Sequence, residues 1–138
     1  MKQRSETFIY LLVGAFVGSD LRYLESLIFK TKSGFPLGTL IANISGALLL
    51  PFLIHYLQDR FKLPKKIILT LSTGLLGSYT TFSTFTADTY CLFSNSRWLD
   101  LAIYLSITMI GGFLAALVGN YWAASRAFSD YVKRRRLK

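Results

Sequence analysis

Between Leu71 and Asp88 the chain reads LSTGLLGSYTTFSTFTAD, which sets Gly74, Gly77 and a run of Ser and Thr inside a largely apolar stretch. Glycine weakens a helix and the hydroxyls need partners, so a broken helix is expected here. A break frees carbonyl oxygens, and such oxygens coordinate cations. The plainer alternative is an intact helix whose hydroxyls bond back to their own carbonyls. Phe82 and Phe85 are three residues apart and share a face. An aromatic ring has an electropositive edge, so a ring presented edge-on can touch a bare anion. Spacing alone favours lipid-facing or core packing for the pair. Asn43 shares a face with Thr39 and Gly46, deep in an apolar stretch where a polar side chain is costly. Its amide could donate to an anion or, as readily, make an interhelical hydrogen bond. Tyr104 and Thr108, four residues apart, offer two more hydroxyl donors. Arg22 could draw anions toward an entrance or snorkel to the interface. Asp88 could face a vestibule, and Asp20 points to a different side from Arg22.

The elements that must position these residues are membrane helices. Of the 138 residues, 52% are hydrophobic and only 17% charged, against roughly a quarter charged in a soluble domain. A hydrocarbon core about 30 Å thick needs roughly 20 mainly apolar residues per helix. Residues 7–29, 35–57, 66–93 and 98–128 meet that length, with short connections that imply antiparallel neighbours and one four-span unit over residues 1–138. Lys2 and Arg4 precede an apolar run from Phe8 to Val17, as in a signal peptide. No typical cleavage site follows, so the run reads as a retained first span.

Charge placement excludes other classes. The net charge of +9 sits mostly at span ends, which fits headgroups and water and not a nucleic acid. Cys91 and His55 are each alone, which excludes an intrachain disulfide and a zinc-type cluster within one chain. Twelve of the sixteen Lys and Arg fall at the N-terminus, the 60–66 connection and the 126–138 tail. Arg22, Lys30, Lys32 and Arg97 fall on the other side, so both termini are expected in the cytoplasm. Tyr10, Gly14, Gly18 and Arg22 make one helical stripe, and Gly111, Ala115, Gly119 and Ala123 another. Small residues at this spacing let membrane helices approach closely. Pro51 should kink or break the second span.

Taken together, GAFVGSDLRY (Gly14–Tyr23), GTLIANISG (Gly38–Gly46) and GLLGSYTTFSTF (Gly74–Phe85) resemble the Fluc, or CrcB, family of small fluoride channels. The segments fall in order on the first three spans, and Tyr104, Thr108 and Gly112 fit the fourth. The resemblance implies an all-α membrane protein of four spans with a broken third helix, paired as an antiparallel dimer with two fluoride pathways. It implies that Asn43 lines the pathway, that Phe82 and Phe85 present ring edges to fluoride, and that Ser83, Thr84, Tyr104 and Thr108 supply hydroxyls. It also implies a structural sodium ion at the dimer centre on the backbone carbonyls of Gly77 and Thr80, and matches Arg22 to the family's arginine at the end of the first helix. The implied role is passive export of fluoride across the plasma membrane, which lowers its toxicity.

Two residues depart from the family pattern: Asp88 stands where Glu is frequent, and Ser78 where a second Gly is common. The charge bias departs further. Opposed copies of one chain must insert both ways, so the bias points to a related subunit of opposite orientation, with self-pairing the other option. A proton-coupled exporter of the small multidrug-resistance type would want a deeply embedded carboxylate, usually a Glu in the first helix. This chain has Asp20 near the helix end and no central Glu. A non-transporting assembly subunit would leave the polar lining unexplained. No nucleophile–base set or nucleotide motif suggests an enzyme.

Overall fold

Apolar length and short connections make this an all-helical chain. The computed structural model describes residues 2–136, in four helical stretches. Helix α1 spans Lys2–Ile28. Helix α2 runs Leu37–Pro51, widens into a π-type turn at Phe52–Leu57, and ends with Gln58–Phe61. The third stretch, α3, covers residues 65–94: Lys65–Leu69, a π-type turn at Thr70–Leu76, Gly77–Tyr79, and then Phe82–Ser94. Thr80 (φ −76°, ψ 152°) and Thr81 (φ −148°, ψ 124°) between them have extended geometry. The fourth, α4, covers residues 98–136 and carries its own wide turn at Ile107–Gly111.

Among the described residues, three helices are long and apolar enough to cross a membrane: Ser5–Ile28, Leu37–Tyr56 and Trp98–Ser129. The third expected span, 66–93, is not among them, because the extended pair divides it and its hydroxyls lower its hydropathy. Pro51 has no N–H to give to the ladder, and the wider turn begins directly after it. Lys138 and the side chains of Lys2, Arg4, Lys133, Arg134, Arg135 and Arg136, part of the charge bias, lie outside the described residues.

Backbone approach, more than side-chain burial, holds the stretches together. Burying apolar surface gains little in lipid, so close van der Waals contact carries the association. A Cβ on Gly14 would stand 2.6 Å from the Thr70 carbonyl oxygen, and one on Gly18 would collide with the Leu75 carbonyl. Gly74 approaches the Leu11 carbonyl from the other side, so α1 lies against the first half of α3 with almost nothing between them. The Gly119 stripe plays the same part on α4: its Cβ would strike the Leu48 carbonyl of α2, and Ala123 one turn on is fully buried. Gly119→Val is expected to separate α4 from α2 and shift the detergent-solubilised protein from a single size-exclusion peak to aggregate. The outward faces, with Phe8, Phe16, Phe113 and Trp122, stay exposed and apolar, as lipid contact requires.

Candidate functional site: the extended pair and its ring ladder

The segment that α1 and α2 grip is the one with unusual backbone. At Thr81 the helical ladder is replaced by side chains. Thr81 N–H donates to Asn43 Oδ1 at 2.8 Å, and Asn43 Nδ2 donates to the Thr81 carbonyl at 3.1 Å. Thr81 also caps the helix that follows, its hydroxyl accepting from Thr84 N–H at 3.1 Å. In an unbroken helix the N–H of Thr81 would be aimed at the Gly77 carbonyl and that of Thr84 at the Thr80 carbonyl. Both are taken elsewhere. The two carbonyls thereby lose their usual partners, and they are the pair that the family resemblance expects to face a cation. Gly77 is exposed, and the space where a side chain would stand meets nothing closer than Ser72 O at 3.8 Å.

The hydroxyls divide into two groups. Those of Thr70, Ser72, Thr80, Thr86 and Thr89 bond back to the carbonyl four residues earlier, as the intact-helix alternative expects. Those of Thr81, Ser83 and Thr84 do not. Thr81 Oγ1 donates to Thr84 Oγ1 at 3.0 Å, and Ser83 Oγ lies 3.2 Å from Thr81 Oγ1. Arg22 Nη1 donates to Thr84 Oγ1 at 3.1 Å. A hydroxyl that accepts from a guanidinium and from another hydroxyl must turn its own proton outward, and is polarised into a better donor. Arg22 is therefore part of the site and not a snorkelling side chain. Thr84→Val keeps the shape and removes that donor. It is expected to slow anion flux about tenfold, the usual weight of one hydrogen bond to a charged group, as measured by efflux from liposomes.

Beside the hydroxyls runs a ladder of rings. Phe82 is 80% exposed, and its ring centroid lies 6.0 Å from that of Phe85. Phe85 stands 5.4 Å from Tyr104, which is completely buried and meets Phe35 edge-on at 5.9 Å and 87°. The Tyr104 hydroxyl donates to Asp88 Oδ2 at 3.3 Å, which gives the departing Asp88 a partner inside the protein. Thr108 falls in the wide turn Ile107–Gly111. Its Oγ1 is buried with no hydrogen-bond partner among the described residues, and a buried orphan hydroxyl is costly unless something else uses it. The outer end of the site opens into a groove of about 860 Å³ that includes Arg22, Gly77, Thr80, Thr81, Phe82 and Ser83.

The structure thus joins Asn43 to Thr81, Arg22 to Thr84, and Phe82 through Phe85 to Tyr104. Thr108 makes no side-chain hydrogen bond to any of them. Asn43 spends its amide on backbone, so the interhelical hydrogen bond, and not open donation to an anion, is its observed state. Sequence reasoning missed three residues. Tyr79 donates to Glu25 Oε1 at 2.6 Å and lies 2.8 Å from Ser45 Oγ. The available signal was Glu25 standing three residues after Arg22, on the same face of α1.

Residues 9–120 match the family model described as CrcB-like protein, Camphor Resistance (CrcB). The chain belongs to the CrcB-like family. Among its relatives is the Fluoride-specific ion channel FluC 1 of Latilactobacillus sakei subsp. sakei (strain 23K), 43% identical over 79% of this chain and 81% of the relative. The Fluoride-specific ion channel FluC of Hydrogenobaculum sp. (strain Y04AAS1) is also 43% identical, over 83% of this chain and 94% of its own length. A FluC 1 from Moorella thermoacetica (strain ATCC 39073 / JCM 9320) is 35% identical over 92% and 95%. The matched span 9–120 of this CrcB-like chain contains Arg22, Asn43 and the whole 77–108 site.

Proposed function

We propose that this chain is a fluoride-specific ion channel, not an enzyme, that lets fluoride leave the cytoplasm across the plasma membrane down its electrochemical gradient. The observation that carries the reading is a chain of linked hydroxyls and a ladder of rings on the same short segment after the extended pair. The hydroxyl chain Ser83–Thr81–Thr84, tied to Arg22, runs beside the rings of Phe82, Phe85 and Tyr104. Fluoride is small and strongly hydrated, so a path must replace its water with hydrogen-bond donors and ring edges. The free Thr84 proton, the Thr108 hydroxyl and the edges of Phe82 and Phe85 serve that need, and a narrow bore disfavours the larger chloride. Asn43 lines the track and holds Thr81 in place. The interior-negative potential drives the anion out.

On this reading residues 1–138 are one four-span unit. The residues before and after Thr80–Thr81 are the two halves of a broken third span, held together by their contacts with α1 and α2. Gly77 and Thr80 suit a structural sodium ion, which is not transported. Their carbonyls are relieved of helical N–H donors, and a carbonyl oxygen is a fitting ligand for such a cation. The cation would supply positive charge near the anion track. The open groove beside Gly77 and Phe82 is where a second subunit docks, in antiparallel orientation. That subunit is either another copy or a related chain of opposite orientation, and the bias of Lys and Arg, with both termini cytoplasmic, favours the latter. Cells that lack their own fluoride exit should grow at a fluoride concentration that stops the empty-vector strain once this chain and any needed partner are expressed. Growth that stays as fluoride-sensitive as with empty vector contradicts the role.

A further inference from the structure

Glu25, Tyr79 and Ser45 form a polar cluster beside the hydroxyl and ring track. Tyr79 is 8% exposed, and its hydroxyl donates to Glu25 Oε1 at 2.6 Å. Ser45 Oγ, on α2, lies 2.8 Å from the same Tyr79 oxygen. The second Glu25 oxygen is buried and has no hydrogen-bond partner among the described residues. Around them, Leu21, Leu49, Leu75 and Leu76 complete a cavity of about 190 Å³ with few polar surfaces. The carboxylate is therefore committed to a single bond, and that bond is to Tyr79.

Tyr79 is the last residue before the extended pair; Thr80 follows it directly and Gly77 stands two residues before it. Arg22 and Glu25 are three residues apart on α1, so they share a face. Arg22 holds Thr84 after the pair and Glu25 holds Tyr79 before it. Apolar contact alone is non-directional and would let the Tyr79 ring slide along α1. A short, directional hydrogen bond fixes its height. We propose that Glu25 is a positioning residue. Through Tyr79 it sets the backbone of residues 77–80, so that α1 clamps both sides of the extended pair. The proposal rests on residues 77–84 being the ion-handling segment.

The full chain, reconstituted with any partner it needs, provides the test. Tyr79→Phe and Glu25→Leu should each slow fluoride efflux about tenfold while eluting as the same oligomer as wild type. Glu25→Gln keeps an acceptor oxygen for Tyr79 and sets its amide nitrogen where the unpartnered oxygen stands, so the bond to Tyr79 survives and its efflux should stay within about threefold of wild type. The double variant should be no slower than the slower single one, because both remove one bond. Amide exchange at residues 80–84 should quicken in Tyr79→Phe and Glu25→Leu and not in Glu25→Gln. Wild-type exchange and efflux in Tyr79→Phe would overturn the proposal, as would Glu25→Gln behaving like Glu25→Leu. If the wild-type protein passes no fluoride, the channel reading fails and exchange alone decides the clamp. Should Tyr79→Phe not survive purification, the two Glu25 variants give the same decision.

Discussion

Asn43→Ala is expected to abolish conduction, with fluoride efflux falling by about a hundredfold or more. The Asn43 amide satisfies both the N–H and the carbonyl of Thr81, at 2.8 and 3.1 Å. Without it two backbone polar groups at membrane depth lose their partners, at a cost of about 1–3 kcal/mol each. Some 2.7 kcal/mol already corresponds to about a hundredfold. The chain can recover the loss by winding Thr81 back into the helix, which returns its N–H to Gly77 and discards the cap on Thr84. Asn43→Asp separates the two bonds. It keeps an acceptor for the Thr81 N–H but sets an oxygen against the Thr81 carbonyl, so its efflux should fall nearly as far. Reconstitution with a fluoride electrode reads both variants, and wild-type flux in Asn43→Ala would show that Thr81 is held by other means.

Gly18→Ala should have the largest effect on stability. The added Cβ lands on the Leu75 carbonyl, backbone against backbone, so no side chain can swing aside. Overpacking of this kind costs about 1–3 kcal/mol or more, and here it separates α1 from α3. Arg22 and Glu25 lie one and two turns along the same helix, so conduction should fall with stability. A thermal melt in detergent should show an earlier transition and a loss of the single size-exclusion peak. Gly112→Ala is the control, since nothing lies within 4 Å of its Cβ position. Its melt should match wild type.

These contacts show what one sequence can and cannot disclose. Four helical stretches follow from apolar length, although only three are apolar enough to span on that measure, and the stripe from Gly14 to Arg22 marks the face of α1 that meets α3. The Ser and Thr run was open to two readings, and its hydroxyls follow two bonding patterns. Those with a helical turn before them bond to it, while Thr81, Ser83 and Thr84 follow the extended pair and bond to one another. The partners of Asn43, Arg22 and Tyr79 lie 38, 62 and 54 residues away, and pairings at such separations are fixed by packing and not by local pattern. Glu25 escaped notice because a carboxylate near a helix end has an ordinary explanation until Tyr79 is seen against it. The wide turn around Thr108 was hidden for a similar reason: Tyr104 and Thr108 keep helical spacing, yet only Tyr104 finds a partner.

Fluoride efflux from liposomes containing only this purified chain, followed with a fluoride electrode beside chloride-loaded vesicles, tests the central claim most directly. A conducting path lined by Phe82, Phe85 and Thr84 predicts rapid fluoride release with little chloride leak, independent of any proton gradient. Where the chain alone is silent, an oppositely oriented relative added during reconstitution should restore release. Chloride leaving as fast as fluoride, or no fluoride release with or without that partner, would contradict the account.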